Sequence, residues 1–306
     1  MSLHTPSVDF AEHTHAGGAW RMWSRPPVDG PGPLVRNYCA FTERSATVTR
    51  RRELPSGLVH LIVTLGTPLA IFDPRTPGAP PKQGRVFVAA LDERHAPTES
   101  ARALDCVEVK LTPLGARRLL GVPMHLVTNQ VVELDDLIGG DAHRLVDRLR
   151  HASDWETRLT LVETFVQRRI ALAPPASGGI AWAWGELMRR RGRLETGSLA
   201  RELGWSRKHL IAQFREHVGL PPKVFARLLR FNHAIEHVRA GGMRDWVDLA
   251  ALCGYYDQAH FINDFRDFSG TTPSDLVRHL IPNGGGVYAP DAADGGESGG
   301  AGSRGR

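Results

Sequence analysis

Apolar positions change period along the chain. Between Leu34 and about Leu111, short apolar runs recur between turn residues: LVHLIVTL (Leu58 to Leu65), RVFVAAL (Arg85 to Leu91) and CVEVKL (Cys106 to Leu111). Runs of this length, rich in β-branched residues, predict strands. DPRTPGAPPKQG, Asp73 to Gly84, holds too much Pro and Gly for a regular element and predicts a loop. After Leu134 the spacing lengthens: Leu145 and Leu149, then Leu159, Val162, Phe165, Val166 and Ile170, recur every three or four residues and predict amphipathic helices.

APPASGG, Ala173 to Gly179, has no periodicity and marks a domain boundary, beyond which helical spacing continues to Ile281. The last 24 residues hold nine glycines and almost no large apolar group, so they lack the burial that offsets ordering entropy. The expected fold class is α+β. A β-rich sensor domain over 1–172, a cupin-like or degenerate barrel with trailing helices, is followed by a linker over 173–179. An all-α domain over 180–282 and a disordered Gly-rich tail over 283–306 complete the chain. A length of 306 residues agrees with two domains.

Aligning the C-terminal third with itself exposes a duplication. LARELGWSRKHLIAQFREHVGLPP from Leu199 matches LAALCGYYDQAHFINDFRDFSGTTP from Leu249. Ala200 and Ala250, like Gly204 and Gly254, are 50 residues apart; Leu210 and Phe261, Phe214 and Phe265, Gly219 and Gly270, and Pro222 and Pro273 are 51 apart. One residue is therefore inserted in the second turn. Each copy has what a helix-turn-helix needs: a small Ala where two helices cross, a Gly for the sharp turn, and Ser206 or Asp257 to cap the next helix. Between the copies, Val224, Leu228, Phe231, Ile235 and Val238 alternate spacings of four and three, predicting one helix from Lys223 to Ala240. At 1.5 Å per residue such a strut is about 27 Å long. That suits two recognition helices reading major-groove segments about 34 Å apart on one side of a duplex.

ALCGYYDQAHFINDFRDFSGTTPSDL, Ala251 to Leu276, resembles the C-terminal signature of AraC/XylS-type transcriptional regulators, and the resemblance extends over Gly178 to Pro282. LPSGLVHLIV and LTPLGARRLLGVP make the N-terminal stretch similar to a sensor-like domain found in one subgroup. The resemblance implies double-stranded DNA as partner, read by Arg207, Lys208, Ile211 and Ala212 on the first recognition helix and by Gln258, Ala259, His260, Ile262 and Asn263 on the second. Amides such as Gln258 and Asn263 suit adenine, Arg207 or Lys208 can reach guanine or phosphate, and Ile211 and Ala212 can meet thymine methyls. Arg207, Lys208, Arg215, Lys223, Arg227 and Arg266 are the expected phosphate contacts. The family often has Arg where Asn263 stands and longer polar or basic groups where Ile211 and Ala212 stand, so this chain carries less charge on both faces.

Composition adds bounds. The chain is 42% hydrophobic and 23% charged, with a formal charge of +5 and a pI near 9.4, which permits a polyanionic partner without requiring one. Gly178 to Pro282 holds 15 Lys and Arg against 11 Asp and Glu. No apolar run approaches the 18 to 20 residues a membrane span takes, and the N-terminus lacks a leader pattern. Cys39, Cys106 and Cys253, odd in number and scattered, fit reduced thiols in a cytoplasm.

Other features point to less. His13 and His15 form half of a metal site, but His60 and His95 stand alone, so neither metal nor cofactor is expected. Arg50 to Arg52 reads as a solvated loop between strands. Trp182 and Trp184 are expected to close a core, while Trp20 and Trp23 either line a ligand pocket or cover the barrel. No G-x-S-x-G elbow, phosphate loop or zinc-protease helix supports an enzyme. The leading expectation is a non-enzymatic, sequence-specific DNA-binding regulator controlled by an unknown small-molecule effector. The alternatives are a cofactor-free enzyme and a protein-binding adaptor. RNA polymerase is a candidate partner, as is a second copy of the chain docking through the helices between Ala142 and Leu172, unless those faces pack on the barrel.

Overall fold

In the computed structural model, the described residues are 8–15, 17–27, 34–241, 245–281 and 286–288. The N-terminal half is two antiparallel sheets with helices on one side. Its strands are β1 (Asp9–His15), β2 (Gly18–Arg25), β3 (Val35–Ser45), β4 (Thr49–Glu53), β5 (Val59–Thr64), β6 (Leu69–Ile71), β7 (Lys82–Gly84), β8 (Val86–Ala89), β9 (Ala96–Ser100), β10 (Ala103–Leu111) and β11 (Val131–Glu133). The large sheet runs β1-β2-β3-β10-β5-β8-β11 and the small one β4-β9-β6-β7. The three apolar runs became β5, β8 and β10, and the Pro/Gly-rich segment is a loop until β7 pairs its last residues with β6.

Side chains alternate along β10, and that alternation organises the domain. Val107, Val109 and Leu111 are fully buried among Tyr38, Ala40, Val59, Leu61 and Val63, on the face covered by helices α1 (Pro113–Leu120) and α4 (Trp155–Leu172). Cys106, Glu108 and Lys110 take the other face, toward the small sheet. The short helix α2 (Leu134–Ile138) and α3 (Gly140–His151) continue this helical layer. The apolar stripes of α3 and α4, Leu145 and Leu149, Leu159, Val162 and Val166, are buried within the chain. Trp20 is buried against Phe41, whereas Trp23 stacks on Trp155 and lines a shallow cavity of about 360 Å³ with Val8, Asp154 and Glu156.

Arg50, Arg51 and Arg52 form strand β4, not the solvated loop expected. Each has a partner that makes a strand tolerable: Arg50 pairs with Glu99 at 2.7 Å, Arg51 donates to both Glu43 oxygens at 2.5 and 2.9 Å, and Arg52 donates to the Ser269 carbonyl at 3.1 Å. Pairing turns a charge run into an alternating strand, with Arg51 toward the large sheet and Arg52 toward the C-terminal domain.

The C-terminal half comprises α5 (Gly178–Arg189), α6 (Thr196–Glu202), α7 (Arg207–His217), α8 (Pro222–Arg239), α9 (Trp246–Leu252), α10 (Gln258–Ser269) and α11 (Pro273–Arg278). Helix α5 begins inside the expected linker, capped by Ser177, and the extended residues before it are held by Arg118, which donates twice to the Ala173 carbonyl. Trp184 is buried while Trp182 is partly exposed, so only Trp184 fills the role expected of both. The buried side chains of both halves form one contiguous cluster. After α11 the chain turns back: β12 (Leu280–Ile281) pairs with β13 (Gly286–Val287), and Tyr288 bridges to Arg51. Of the expected disordered tail, residues 286–288 lie beside β4, and the others lie outside the described residues.

Candidate nucleic-acid interface

The two sequence copies fold alike. In the first, α6 and α7 flank Gly204 at φ 66°; in the second, α9 and α10 flank Gly254 at φ 78°, a left-handed conformation that favours glycine. Ala200 and Ala250 are buried, and their carbonyls accept from Trp205 N–H and Tyr255 N–H, each at 2.9 Å. Ser206 caps α7 by accepting from His209 N–H, and Asp257 caps α10 by accepting from His260 N–H. Leu210 and Phe214, like Phe261 and Phe265, turn into the core. The strut between them, α8, has 18 residues, with Leu228, Phe231, Ile235 and Val238 buried.

The two copies are also clamped to each other. On α8, Arg227 donates to buried Asp264 at 2.7 and 3.0 Å and to Asp267 at 2.8 Å, and its guanidinium lies over Phe268. Arg230 covers the Tyr255 ring and donates to the Gly192 carbonyl. Arg193, before α6, packs beneath Gly254 and donates to the Leu252 carbonyl. Arg227, expected to contact phosphate, is already engaged in holding α10 to the strut.

The opposite faces of α7 and α10 are solvated. Arg207, Lys208, Ile211, Ala212 and Arg215 are exposed on α7; Ala259, His260, Asn263 and Arg266 are exposed on α10. Arg207, Lys208, Arg215 and Arg266, with Lys223 at the start of α8, make no salt bridge to any described residue. Gln258 and Ile262 are both half-buried, and part of the Ile262 side chain packs against the core. His260 stands edge-on to Tyr255, 3.9 Å from Asp264.

Sequence comparison of the copies located an insertion but not its meaning. Trp205 and Tyr255 make equivalent turn bonds and Ser206 and Asp257 equivalent caps, so the inserted residue is Tyr256. Its side chain is 95% exposed, immediately before the second recognition helix. Counting between the caps would have found it.

Two helix-turn-helix units joined by a buried strut, beside a β-rich domain, give the C-terminal half the architecture of a DNA-binding domain. Residues 199–279 match the family model described as a helix-turn-helix domain. No curated protein matches the chain. Among solved structures it is similar to ToxT from Vibrio cholerae O395, at 12% identity and TM-score 0.42 over 78% of this chain and 97% of that one. It is also similar to unsaturated fatty acid-bound ToxT from Vibrio cholerae strain SCE256, at 9% identity and TM-score 0.43 over 88% and 97%. The AraC-like transcriptional activator CuxR matches at 14% identity and TM-score 0.28 over 67% and 80%.

Elsewhere the described residues hold no helix long and apolar enough to cross a membrane and no group of three or more His, Cys, Asp or Glu placed to hold a metal. The three thiols are free and buried, and burial pushes Cys39 and Cys253 up to about 11, well out of the reactive thiolate range.

Proposed function

We propose that the chain binds duplex DNA sequence-specifically, laying α7 and α10 into successive major-groove segments. The observation that carries this reading is the distribution of charge: Arg227 and Arg230 on the strut are held by protein partners, while Arg207, Lys208, Arg215 and Arg266 on the two reading helices make no salt bridge to any described residue. Cations left without partners among the described residues, on the faces turned away from the core, are what phosphate binding requires. Base edges fall to Gln258, His260 and Asn263 on α10 and to Arg207, Ile211 and Ala212 on α7. Tyr256 joins them as a contact to sugar or phosphate. Selection of bound duplexes from a random pool by the full chain is expected to enrich a two-segment motif, with affinity falling steeply as salt rises. Enrichment of nothing at moderate salt would support the protein-binding adaptor instead.

We further infer an effector site in the N-terminal domain, at the mouth between the sheets. His60 Nδ1 lies 2.6 Å from Glu108 Oε1 and its Nε2 lies 3.0 Å from Ser56 Oγ; Lys110 approaches the same carboxylate at 3.4 Å. Burial alone would raise the Glu108 carboxyl, but Lys110 and the His60 hydrogen bond outweigh it and hold it at about 2. These groups are crowded by protein yet keep some exposure, as a small polar ligand would need. Titration calorimetry against metabolite fractions, with Glu108→Gln as the control, tests this: binding unaffected by the substitution places the effector elsewhere.

A further inference from the structure

The N-terminal domain touches the two helix-turn-helix units at equivalent points. Gly219 and Gly270, 51 residues apart in the repeat, follow the last turns of the recognition helices at φ 102° and 70°. Gly219 lies so close to Thr128 and Met124 of the N-terminal domain that a β-carbon there would overlap the Thr128 hydroxyl, and Arg117 reaches Glu216 at 3.8 Å. Gly270 lies equally tight against the His95 ring, and Arg52 donates to the neighbouring Ser269 carbonyl. Between these points Asn232, in the middle of α8, makes two bonds to the loop after β4: its oxygen accepts from Gly57 N–H and its amide donates to the Pro55 carbonyl, both at 3.0 Å. Gly57 itself packs on Leu229 and Phe225.

We propose that the N-terminal domain is a second spacer between the recognition helices, and that Asn232, Arg52 and His95 are positioning residues that set which operator spacing the chain accepts. The proposal rests on the DNA-binding reading above. The strut fixes how far apart the helices start. Rotation of each unit about the strut is limited by what holds its far end, and in both units that is the C-terminal end of the recognition helix, seated on the N-terminal domain. Phase matters because each base pair added between two read segments moves the second by about 3.4 Å and turns it by roughly 35° around the duplex. A pair of helices held at three points has one phase, whereas a pair held only by the strut can follow the groove. Strand β4 gives the seat a connection to the sheet interior: Arg51 is bonded to Glu43 of the large sheet, and the next residue, Arg52, is bonded to the end of α10.

The test uses the full chain and the two-segment motif it selects. Affinities are measured for duplexes with one or two base pairs inserted or removed between the segments, for wild type, Asn232→Ala, Arg52→Ala, the double variant and Arg52→Lys, with circular dichroism reporting folding. Wild type is expected to discriminate against altered spacing by about tenfold, and the double variant by no more than about threefold, since loss of the fixed geometry lowers the effective concentration at one spacing and raises it at others. Arg52→Lys keeps a donor for the Ser269 carbonyl and should retain most of the discrimination. If Asn232→Ala fails to fold, Arg52→Ala alone is read, with discrimination expected to fall about twofold or more. Unchanged spacing preference in folded Arg52→Ala and double variants overturns the proposal while leaving DNA binding intact. Failure of wild type to enrich any sequence overturns the DNA-binding reading beneath it.

Discussion

Charged residues of one type have opposite roles within a few residues of each other. Arg266 and Arg227 are both candidate phosphate contacts by sequence, yet Arg266 is free on the reading face and Arg227 is held by Asp264. Lys208→Ala is expected to weaken binding to all sequences alike and to reduce the slope of log affinity against log salt by about 1, whereas Asn263→Ala should relax preference at one base position; binding isotherms on a set of single-base variants separate the two. Asp264 is the buried half of its ion pair and Arg227 is partly solvated. Asp264→Ala should therefore cost about 3 kcal/mol, the low end for breaking a buried pair, as read by denaturant unfolding. A loss near zero would show that Arg227 finds water as readily as its carboxylate.

Helices and turns follow local rules, and those rules were readable. Periodicity located the strut to within a residue at each end, and Gly204, Gly254, Ser206 and Asp257 took the turn and cap positions their chemistry suits. Packing separates glycines that look equivalent in sequence. Gly204, at φ 66°, has open space where a β-carbon would go, whereas Gly219, at φ 102°, abuts Thr128. Gly204→Ala is expected to cost about 1–2 kcal/mol from the left-handed backbone alone. Gly219→Ala should cost clearly more, because overlap adds to strain; equal thermal shifts for the two would show that the contact with Thr128 relaxes freely. Leu228→Pro, in the fully buried middle of α8, should break the strut, at about 3 kcal/mol or more, and abolish binding to two-segment sites. Because α8 also holds the loop at Pro55 and Gly57, part of the N-terminal domain should lose protection from hydrogen exchange with it.

At the scale of the whole molecule, two imidazoles make stability depend on pH, and one of them, His95, sits where the two halves meet. Burial, helped by Arg52 and Arg94 against Asp92, holds His95 down at about 4; burial with Arg191, His237 and Arg193 does the same for His233. Both native values lie below the ordinary 6.5, so the unfolded chain takes up protons first as pH falls. The stability they contribute is complete above pH 6.5 and is lost toward pH 4. The melting temperature is expected to fall across that window, and His95→Gln should flatten the fall. An unchanged pH profile in that variant would remove His95 from the account.

The amino-acid sequence by itself determined the duplication, the recognition helices, their caps and the strut, because each depends on spacings of a few residues and on the preferences of single side chains. Tertiary structure alone decided which charges remain free. Arg227 meets Asp264 across 37 residues, and Arg52 meets Ser269 across 217. Strand β4 exists as a strand because Glu43, Glu99 and the distant Ser269 carbonyl receive its arginines, and Ile262 is half covered by a core that no local pattern describes. How a charge is shared between the folded chain and its surroundings is settled by contacts that form only when remote segments meet.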